Sequence, residues 1–300
     1  MLDVNIKLLM SDVPNATCEN YLFHRMPYMF EHFRFVYTDK PDYIIFFNRA
    51  QSVPAGSAVK IFYSQEFSNI DMQRYDWAVG FMYEEDVGSD RYIRIPNYVL
   101  YGGQDKLIKG PTFDPKVIAA YKTKFCAFVY YHNVPIRNEL FRALSKYAQV
   151  DAPGKCMHNF PPLGGFATIE QSRGSTHYPE ELVRFLSRYK FNIAFENTGN
   201  VGYTTEKIYL AMMANCIPIY FGNPTIGKEF NTNSFISVPN TDIVSTITQL
   251  VSRTIQIDKD PMAYLSMLQQ PWYPNNVVNK YADKDRIIAF FKRMFTSKNK

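Results

Sequence analysis

Residues 189–224, YKFNIAFENTGNVGYTTEKIYLAMMANCIPIYFGNP, contain the strongest structural pattern in this chain. The run FNIAF (191–195) is apolar throughout rather than alternating, which is typical of a strand covered on both faces of a parallel sheet. The stretch TEKIYLAMMAN (205–215) has helical spacing, and IPIYF (217–221) is a second candidate for a buried strand. The order strand, helix, strand predicts a crossover unit of an α/β sheet, with a ligand site at the carboxyl ends of the strands.

The same alternation continues along the rest of the chain. Other short runs rich in Ile, Val, Phe and Tyr lie at 4–10, 42–47, 58–63, 125–130 and 234–238. Stretches with helical spacing lie at 135–148, 179–189, 242–255 and 285–295. We therefore predict an α/β fold with repeated crossover units.

Two domains are expected for a chain of 300 residues. The segment YGGQDKLIKGPTFDP (101–115) is polar, contains glycine and separates an earlier group of strands from a later one, so it is the candidate linker. We place the first α/β domain at 1–112, the second at 113–272, and a C-terminal helical segment that packs back on the body at 273–300.

Polar residues follow the first strand of the quoted segment. Glu196 and Asn197 come directly after the strand, and a flexible turn leads to a helix that begins near Glu206 and Lys207. Free backbone N–H groups and the positive end of the helix dipole favour a phosphate there, and Lys207 adds a full positive charge. Glu206 fits beside a diphosphate only if it accepts hydrogen bonds from neutral hydroxyls. The helix N-terminus, Lys207 and Glu206 together favour a nucleotide sugar as the ligand. In isolation, Glu206 would be an ordinary acid in the first turn of a helix and Lys207 a solvated charge.

FEN, GYTTEK and IPIYFGNP, in this order and spacing, resemble the C-terminal signature of the α1,3/4-fucosyltransferases, glycosyltransferase family ten. The resemblance implies the GT-B architecture, in which two Rossmann-like domains face a central cleft. It also implies an inverting transferase that uses GDP-fucose. Among the residues of this signature, the resemblance assigns donor binding to Glu196, Asn197, Tyr203, Glu206 and Lys207.

A second segment carries the resemblance upstream. KFCAFVYYHNVPIRNELFRAL (124–144) is similar to the family's strand and loop that lead to an arginine, and the matching residue is Arg137. A guanidinium can hold a diphosphate through a planar fork of donors. An ordinary charge on a helix surface is the alternative for Arg137. VDAPGKC (150–156) resembles, more weakly, a glycine-and-basic turn of the family, which would put Lys155 near the nucleotide.

The N-terminal half resembles the family's acceptor side. KIFYSQEFSN (60–69), followed by YDWAVGF (75–81), matches a block in which a glutamate three residues after a tyrosine is the catalytic base. The match implies that Glu66 is the general base and that Tyr63 contacts the donor. Phe-Ser-Asn-Ile at 67–70 replaces the Asn or acidic residue and the proline that are common in the family, so the acceptor loop is expected to have a different shape. A simple charge at a strand end is the alternative for Glu66.

The resemblance implies an acceptor of N-acetyllactosamine type, as in the synthesis of Lewis-antigen glycans and in protein glycosylation, with transfer to N-acetylglucosamine in α1,3 linkage. Two other functions stay open. One is a transferase of the same fold with another nucleotide sugar, because Arg137 and Lys207 recognise a diphosphate that many donors share. The other is a non-catalytic glycan-binding protein, since a fold does not fix a function.

Aromatic residues form 16% of the chain, which would suit surfaces that stack on sugars, although large aromatics more often lie in the core. The stretch YLFHRMPYMFEHFRFVY (21–37) is the richest in them. We expect this stretch to be a helix packed into the core, with a position along the acceptor side as the alternative.

Other classes of protein lack support in the sequence. The net charge of +5 is spread along the chain, which argues against a nucleic-acid partner. The D-x-D patterns at 258–260 and 283–285 lie in polar helical sequence, and the histidines show no spacing typical of metal ligands. We therefore expect no metal and no cofactor beside the donor GDP-fucose. Motifs of dinucleotide, P-loop and serine-hydrolase sites are also absent from the sequence.

The expected location is the cytoplasm, as for a bacterial type of this family. The apolar run in MLDVNIKLLM (1–10) is too short for a signal peptide or a membrane anchor. The four cysteines include no C-x-x-C pair, which indicates free thiols in a reducing compartment. The last helix, DRIIAFFKRMF (285–295), has an apolar face with basic residues nearby, so it either packs on the body or contacts the inner membrane peripherally.

Overall fold

The computed structural model describes residues 1–9, 22–48, 50, 52–175, 177–239 and 242–297. The chain divides into two compact units, Met1–Gly102 with Asn279–Lys300 and Gly103–Val278. Within the described residues the strands are β1 (Leu2–Leu9), β2 (Phe33–Tyr37), β3 (Tyr43–Phe47), β4 (Val59–Tyr63), β5 (Trp77–Gly80), β6 (Tyr92–Arg94), β7 (Lys124–Ala127), β8 (Val150–Asp151), β9 (Tyr189–Phe195) and β10 (Ile217–Phe221).

Helices connect most of these strands. In the described part of the chain they are α1 (Glu84–Val87), α2 (Pro115–Ala120), α3 (Pro135–Ser145), α4 (Ile169–Gly174), α5 (Tyr178–Leu186), α6 (Glu206–Met213), α7 (Ile243–Lys259), α8 (Pro261–Gln269) and α9 (Lys284–Thr296). Short 3-10 turns lie at Pro27–Glu31, Asn97–Tyr101, Gln104–Leu107, Leu163–Gly165, Ile226–Lys228, Thr232–Ser234, Pro274–Asn276 and Lys280–Ala282.

The boundary between the units lies earlier than the predicted residue 112, because the segment after Gly102 is fastened to the second unit. The Lys109 ammonium donates to the carbonyls of Leu268 and Gln270. Asn276 accepts from the Lys109 N–H at 3.0 Å and donates to the Lys109 carbonyl at 2.8 Å. These bonds also tie the chain as far as Asn276 to the second unit, and the C-terminal segment of the first unit begins at 279 rather than 273.

The first unit is built on a six-stranded sheet in the order β2-β1-β3-β4-β5-β6, and every neighbouring pair is parallel. All residues of β3 and β5 are buried, as expected for strands covered on both faces. Phe47 lies opposite Tyr63 at the carboxyl ends of β3 and β4. The residues that follow these two strands therefore meet at one edge of the sheet.

Helix α9 packs on the first unit through its apolar face. Phe295 contacts Phe33 and Tyr43 with ring centroids 5.2 and 5.1 Å apart, and the Tyr43 hydroxyl donates to the Phe295 carbonyl at 2.8 Å. Ile287 and Phe291 on the same face are completely buried. The apolar side chains of this face are therefore used inside the unit, and a peripheral membrane contact stays a prediction. Across the described residues, no helix combines the length and apolar character needed to cross a bilayer.

The second unit is built on a four-stranded parallel sheet in the order β10-β9-β7-β8. Strand β9 is central, between β7 and β10, and only Lys190 in it is not fully buried. Phe195 lies opposite Phe221. The segments that follow β9 and β10 therefore start side by side at the carboxyl edge of the sheet, where open α/β sheets bind their ligands.

Two segments differ in secondary structure from the prediction. In the described part of the stretch 21–37, the 3-10 turn Pro27–Glu31 and strand β2 take the place of the expected long helix, because the aromatic residues of 33–37 fit an edge of the sheet. Residues 234–238 form a single bridge, Ile236 to Ile219, rather than a strand. Buried free thiols occur at Cys126, Cys156 and Cys216, whereas Cys18 lies outside the described residues.

Candidate active site

Glu196 lies at the end of β9, where the sequence places it, but its carboxylate points into the protein. The side chain is completely buried. It accepts hydrogen bonds from the Thr205 N–H at 2.7 Å, from the Thr205 hydroxyl, and from the Lys207 ammonium at 3.2 Å. Burial raises the pKa of Glu196, although Lys207 acts in the opposite direction. The Glu196 carboxylate therefore holds Thr205 and Lys207 in place inside the protein, and a donor contact of Glu196 stays a prediction.

Lys207 carries the positive charge of this cluster. Its ammonium lies 3.2 Å from Glu196, 2.9 Å from the Thr205 hydroxyl and 3.7 Å from Glu206, and a fifth of its side chain stays exposed. Burial alone would lower the pKa of Lys207, but the two carboxylates outweigh burial and raise it. Lys207 is therefore a stable cation at neutral pH, at the start of α6.

The first turn of α6 has no side-chain cap at its N-cap residue. Thr205 is the N-cap residue, but its side chain makes no cap hydrogen bond because the hydroxyl is bound to Glu196. The first N–H groups of a helix need an acceptor, and they favour an anion. The Glu206 side chain is 28% exposed, so its carboxylate can accept a hydrogen bond from a hydroxyl.

Arg137 is a buried residue of α3 and not a surface charge. It is 2% exposed. One guanidinium nitrogen donates to the Phe195 carbonyl at 2.8 Å and to the Asn197 side chain at 2.6 Å. The guanidinium also lies 4.1 Å from the centre of the Tyr130 ring. These contacts fix Arg137 to the end of β9, beside the segment that leads to Lys207.

Tyr130 supports this arrangement from the segment after β7. Its hydroxyl accepts from the Phe195 N–H at 2.6 Å and donates to the Ile193 carbonyl at 2.9 Å. Burial raises the pKa of Tyr130 to about 12, so the hydroxyl stays protonated and can donate. The role of Tyr130 could not be predicted from the sequence, because Tyr130 is one of several aromatic residues in an apolar run.

A buried network holds the turn before α6. The Asn223 side chain accepts from the Gly202 N–H at 2.9 Å and donates to Glu229 at 3.0 Å. The Thr204 hydroxyl also donates to Glu229, at 2.8 Å. Tyr203, predicted to bind the donor, lies in this turn and is 2% exposed. Roles for Asn223 and Glu229 could not be predicted, since their partners are known only once the chain has folded.

The predicted site residue Lys155 lies on the loop after β8. Gly154 in this loop packs against the Tyr130 backbone so closely that a Cβ atom would be 2.2 Å from the Tyr130 carbonyl oxygen. Lys155 itself is exposed, and its ammonium lies 4.9 Å from the Tyr131 ring and 3.9 Å from Glu170. None of its described contacts joins it to the cluster around Lys207.

Glu66 and Tyr63, the two candidates of the first unit, differ in exposure. Tyr63 is 1% exposed and packs edge to face on Phe47 within the sheet, and its donor contact stays a prediction. Glu66 lies on the loop after β4, at the carboxyl edge of the first sheet, and its side chain is exposed. The carboxylate is therefore accessible to a substrate hydroxyl.

Three of the four acids in the two D-x-D patterns have structural roles. Asp258 accepts from Lys190 at 2.8 Å and from the Tyr147 hydroxyl at 2.9 Å. Asp260 caps α8 and Asp283 caps α9. Among the described residues, no group of three or more His, Cys, Asp or Glu side chains could hold a metal ion.

A cavity of about 440 Å³ lies at the opposite edge of the second sheet, beside Lys122 and Arg188. It is bordered by the C-terminal ends of α2, α5 and α6, whose carbonyls favour a cation. Lys122 donates to the Ala214 carbonyl at 2.7 Å, and burial lowers its pKa to about 8. Lys122 therefore complements the C-terminal end of α6, and the cavity adds nothing to the site at the carboxyl edge.

Two parallel α/β units, one with a buried cationic cluster at its sheet edge, define a protein of the GT-B class, and comparison with known proteins gives the family. The profile of the C-terminal region of glycosyltransferase family 10 (fucosyltransferase) matches residues 119–291. The profile of the α-(1,3)-fucosyltransferase FucT N-terminal domain matches residues 15–101. Since the first match alone covers more than half of the chain, the chain belongs to glycosyltransferase family 10.

Individual relatives agree with this assignment. The chain is 29% identical over 273 residues to the α-(1,3)-fucosyltransferase FucT of Helicobacter pylori, a match that covers 79% of this chain and 52% of the relative. It is 39% identical over 160 residues to a protein of Acanthamoeba polyphaga mimivirus that is provisionally named a fucosyltransferase, covering 51% of this chain and 25% of the relative. The chain thus spans about half the length of the first relative and a quarter of the second.

A solved structure confirms the predicted fold. The crystal structure of an α1,3-fucosyltransferase with GDP-fucose matches with a TM-score of 0.75 at 21% sequence identity, covering 100% of this chain and 93% of that one. At this identity the likeness concerns the fold alone. The α/β fold of GT-B type expected from the sequence is therefore correct.

Proposed function

We propose that this chain transfers L-fucose from GDP-β-L-fucose to N-acetylglucosamine in a glycan of N-acetyllactosamine type, in α1,3 linkage and with inversion. Membership of glycosyltransferase family 10 supports this proposal, as does the name of the Helicobacter relative. The observation that carries it is the cluster at the end of β9, where Arg137 and Lys207 lie beside the first turn of α6, which has no side-chain cap.

The second unit is the proposed donor side. When the bond between fucose and GDP breaks, negative charge grows on the leaving diphosphate. Arg137, Lys207 and the N–H groups of α6 are held in place before the reaction, so they can stabilise this charge without reorganising. Cations of the protein thus do the work that a metal ion does in other transferases, and we propose that no metal is required.

The first unit is the proposed acceptor side. Glu66 removes the proton from the acceptor hydroxyl as its oxygen attacks the anomeric carbon. Attack from the face opposite GDP inverts the configuration in a single displacement, so no protein nucleophile is needed. The exposed carboxylate of Glu66 supports this role, because a general base must reach the hydroxyl directly.

The test is transfer of labelled fucose from GDP-fucose to N-acetyllactosamine, with EDTA present and with GDP-mannose and UDP-galactose as competing donors. We expect a product that contains fucose alone, and NMR of the product should show an α1,3 linkage. No product despite calorimetric binding of GDP would contradict the proposal and favour another acceptor or a glycan-binding protein. Product from a competing donor would favour a transferase of another sugar.

Arg137→Lys is expected to weaken GDP binding by about 1.5–3 kcal/mol, because a lysine lacks the planar fork that serves both Phe195 and a phosphate. Isothermal calorimetry with GDP measures the change. Arg142→Lys is the matched control, since Arg142 lies on the same helix, is exposed and pairs only with Glu139 among its described partners. Equal GDP affinity for wild type and Arg137→Lys would mean that Arg137 supports the fold and does not bind the diphosphate.

A further inference from the structure

Asn48 lies directly after β3, beside the loop that carries Glu66. The register of β3 and β4 puts Phe47 opposite Tyr63, so Asn48 and Ser64 are the first residues beyond the two strands. Parallel neighbours deliver such residues to the same edge of a sheet. Asn48 is therefore placed to bond the backbone of the segment 64–68.

The Asn48 side chain bonds this segment from two directions. Its carbonyl oxygen accepts from the Gln65 N–H at 2.6 Å and from the Glu66 N–H at 3.4 Å. Its amide nitrogen lies 3.3 Å from the Glu66 carbonyl and 3.0 Å from the Ser68 hydroxyl. One side chain thus holds both the N–H and the carbonyl of Glu66, together with the residue before it.

Two neighbouring residues also form hydrogen bonds to this segment, but fewer than Asn48 does. The buried Ser64 hydroxyl donates to the Glu66 carbonyl. Asn97, the first residue of the 3-10 turn that follows β6, donates to the Gln65 carbonyl at 3.3 Å. Only Asn48, within the described contacts, bonds the loop through both an acceptor and a donor, and it is anchored to a buried strand.

We propose that Asn48 is a positioning residue for this reaction, which fixes the Glu66 carboxylate by holding the backbone on both sides of it. The proposal rests on the function proposed above, in which Glu66 is the general base. A base must lie within hydrogen-bond distance of the proton that it removes, and a misplacement of about 1 Å can lower a rate 100-fold. An exposed carboxylate on a loop meets this demand only if the loop backbone is fixed.

Asn48→Ala is expected to lower kcat for fucose transfer by about 10- to 100-fold, while KM for GDP-fucose and the calorimetric Kd for GDP stay unchanged. The matched control is Asn231→Ala. Asn231 also accepts from a backbone N–H, that of Asn233, and donates to a backbone carbonyl, that of Pro271, but it contacts no proposed site residue among its described partners. If GDP affinity fell together with kcat, the proposal would be overturned, because the substitution would then have disturbed the fold as a whole.

A double-mutant cycle separates positioning from a structural role. If Asn48 acts through Glu66, Asn48→Ala should have no further effect on kcat in a Glu66→Gln background. The same fold-loss in both backgrounds would overturn the proposal. Hydrogen exchange gives a readout without activity: the amides of Gln65 and Glu66 should exchange faster in Asn48→Ala, and unchanged exchange would also overturn it. Failure of the wild type to transfer fucose would instead refute the proposed function, which the exchange experiment does not test.

Discussion

Glu66→Gln is expected to lower kcat for fucose transfer by about 10²- to 10⁴-fold, because an amide cannot take a proton from the acceptor hydroxyl. The substitution keeps the size of the side chain. It also keeps the backbone bonds that Asn48 makes to the loop, so the loop itself should not move. Initial rates with saturating GDP-fucose measure the effect, and calorimetry should give the wild-type affinity for GDP.

Glu31→Gln is the control for this experiment. Glu31 is an exposed acid in the same unit, at the end of the first 3-10 turn, and the mechanism gives it no role. Its substitution should leave kcat unchanged. Full activity of Glu66→Gln would remove Glu66 from the mechanism, and a loss of activity in both variants would point to the net charge of the unit rather than to a base.

The donor-side turn could be predicted because it depends on residues that are neighbours in the sequence. The apolar run before Glu196 predicts a buried strand, and helical spacing after Thr205 predicts α6, so the order of the polar residues at the sheet edge follows. The direction of each side chain could not be predicted in this way. Glu196 turns inward and Glu206 stays partly exposed, and this difference depends on how α6 packs against β9.

Partners that are distant in the sequence could not be predicted. Arg137 binds the carbonyl of Phe195, and Asn48 binds the loop of Glu66; each pair meets only because parallel strands end at the same edge of a sheet. An arginine on a helix and an asparagine after a strand look like ordinary surface residues until this pairing is known. The chemistry of the site could thus be inferred from residue types, whereas the hydrogen bonds that hold the site residues in place required the structure.

Lys207→Met is expected to lower the free energy of unfolding by about 3–5 kcal/mol, because it leaves the buried Glu196 carboxylate without its cation. The Thr205 hydroxyl and N–H would still bond Glu196, but neither carries a full charge. Chemical denaturation of the wild type and the variant measures the loss. The control is Lys190→Met, which breaks a more exposed pair with Asp258 and should cost about 0–1 kcal/mol.

The pH dependence of Lys207→Met tests the cause of this loss. Burial already raises the pKa of Glu196, and removal of Lys207 removes the main opposing effect. The folded variant then holds a proton that the unfolded chain releases above a pH of about 4.3, so the variant should lose stability as pH rises beyond that value. The wild type should show less of this loss, and a variant as stable as the Lys190→Met control at every pH would contradict the importance of the ion pair.

The double variant Glu196→Gln with Lys207→Met separates folding from binding. A neutral amide in place of the carboxylate removes the unpaired buried charge, so most of the lost stability should return and the pH dependence should disappear. GDP affinity should nevertheless stay weaker than in the wild type by about 1–3 kcal/mol, because the positive charge at the start of α6 is still missing. Recovery of both stability and affinity would mean that Lys207 serves only to neutralise Glu196, and that the diphosphate is held by Arg137 and the N–H groups of α6 alone.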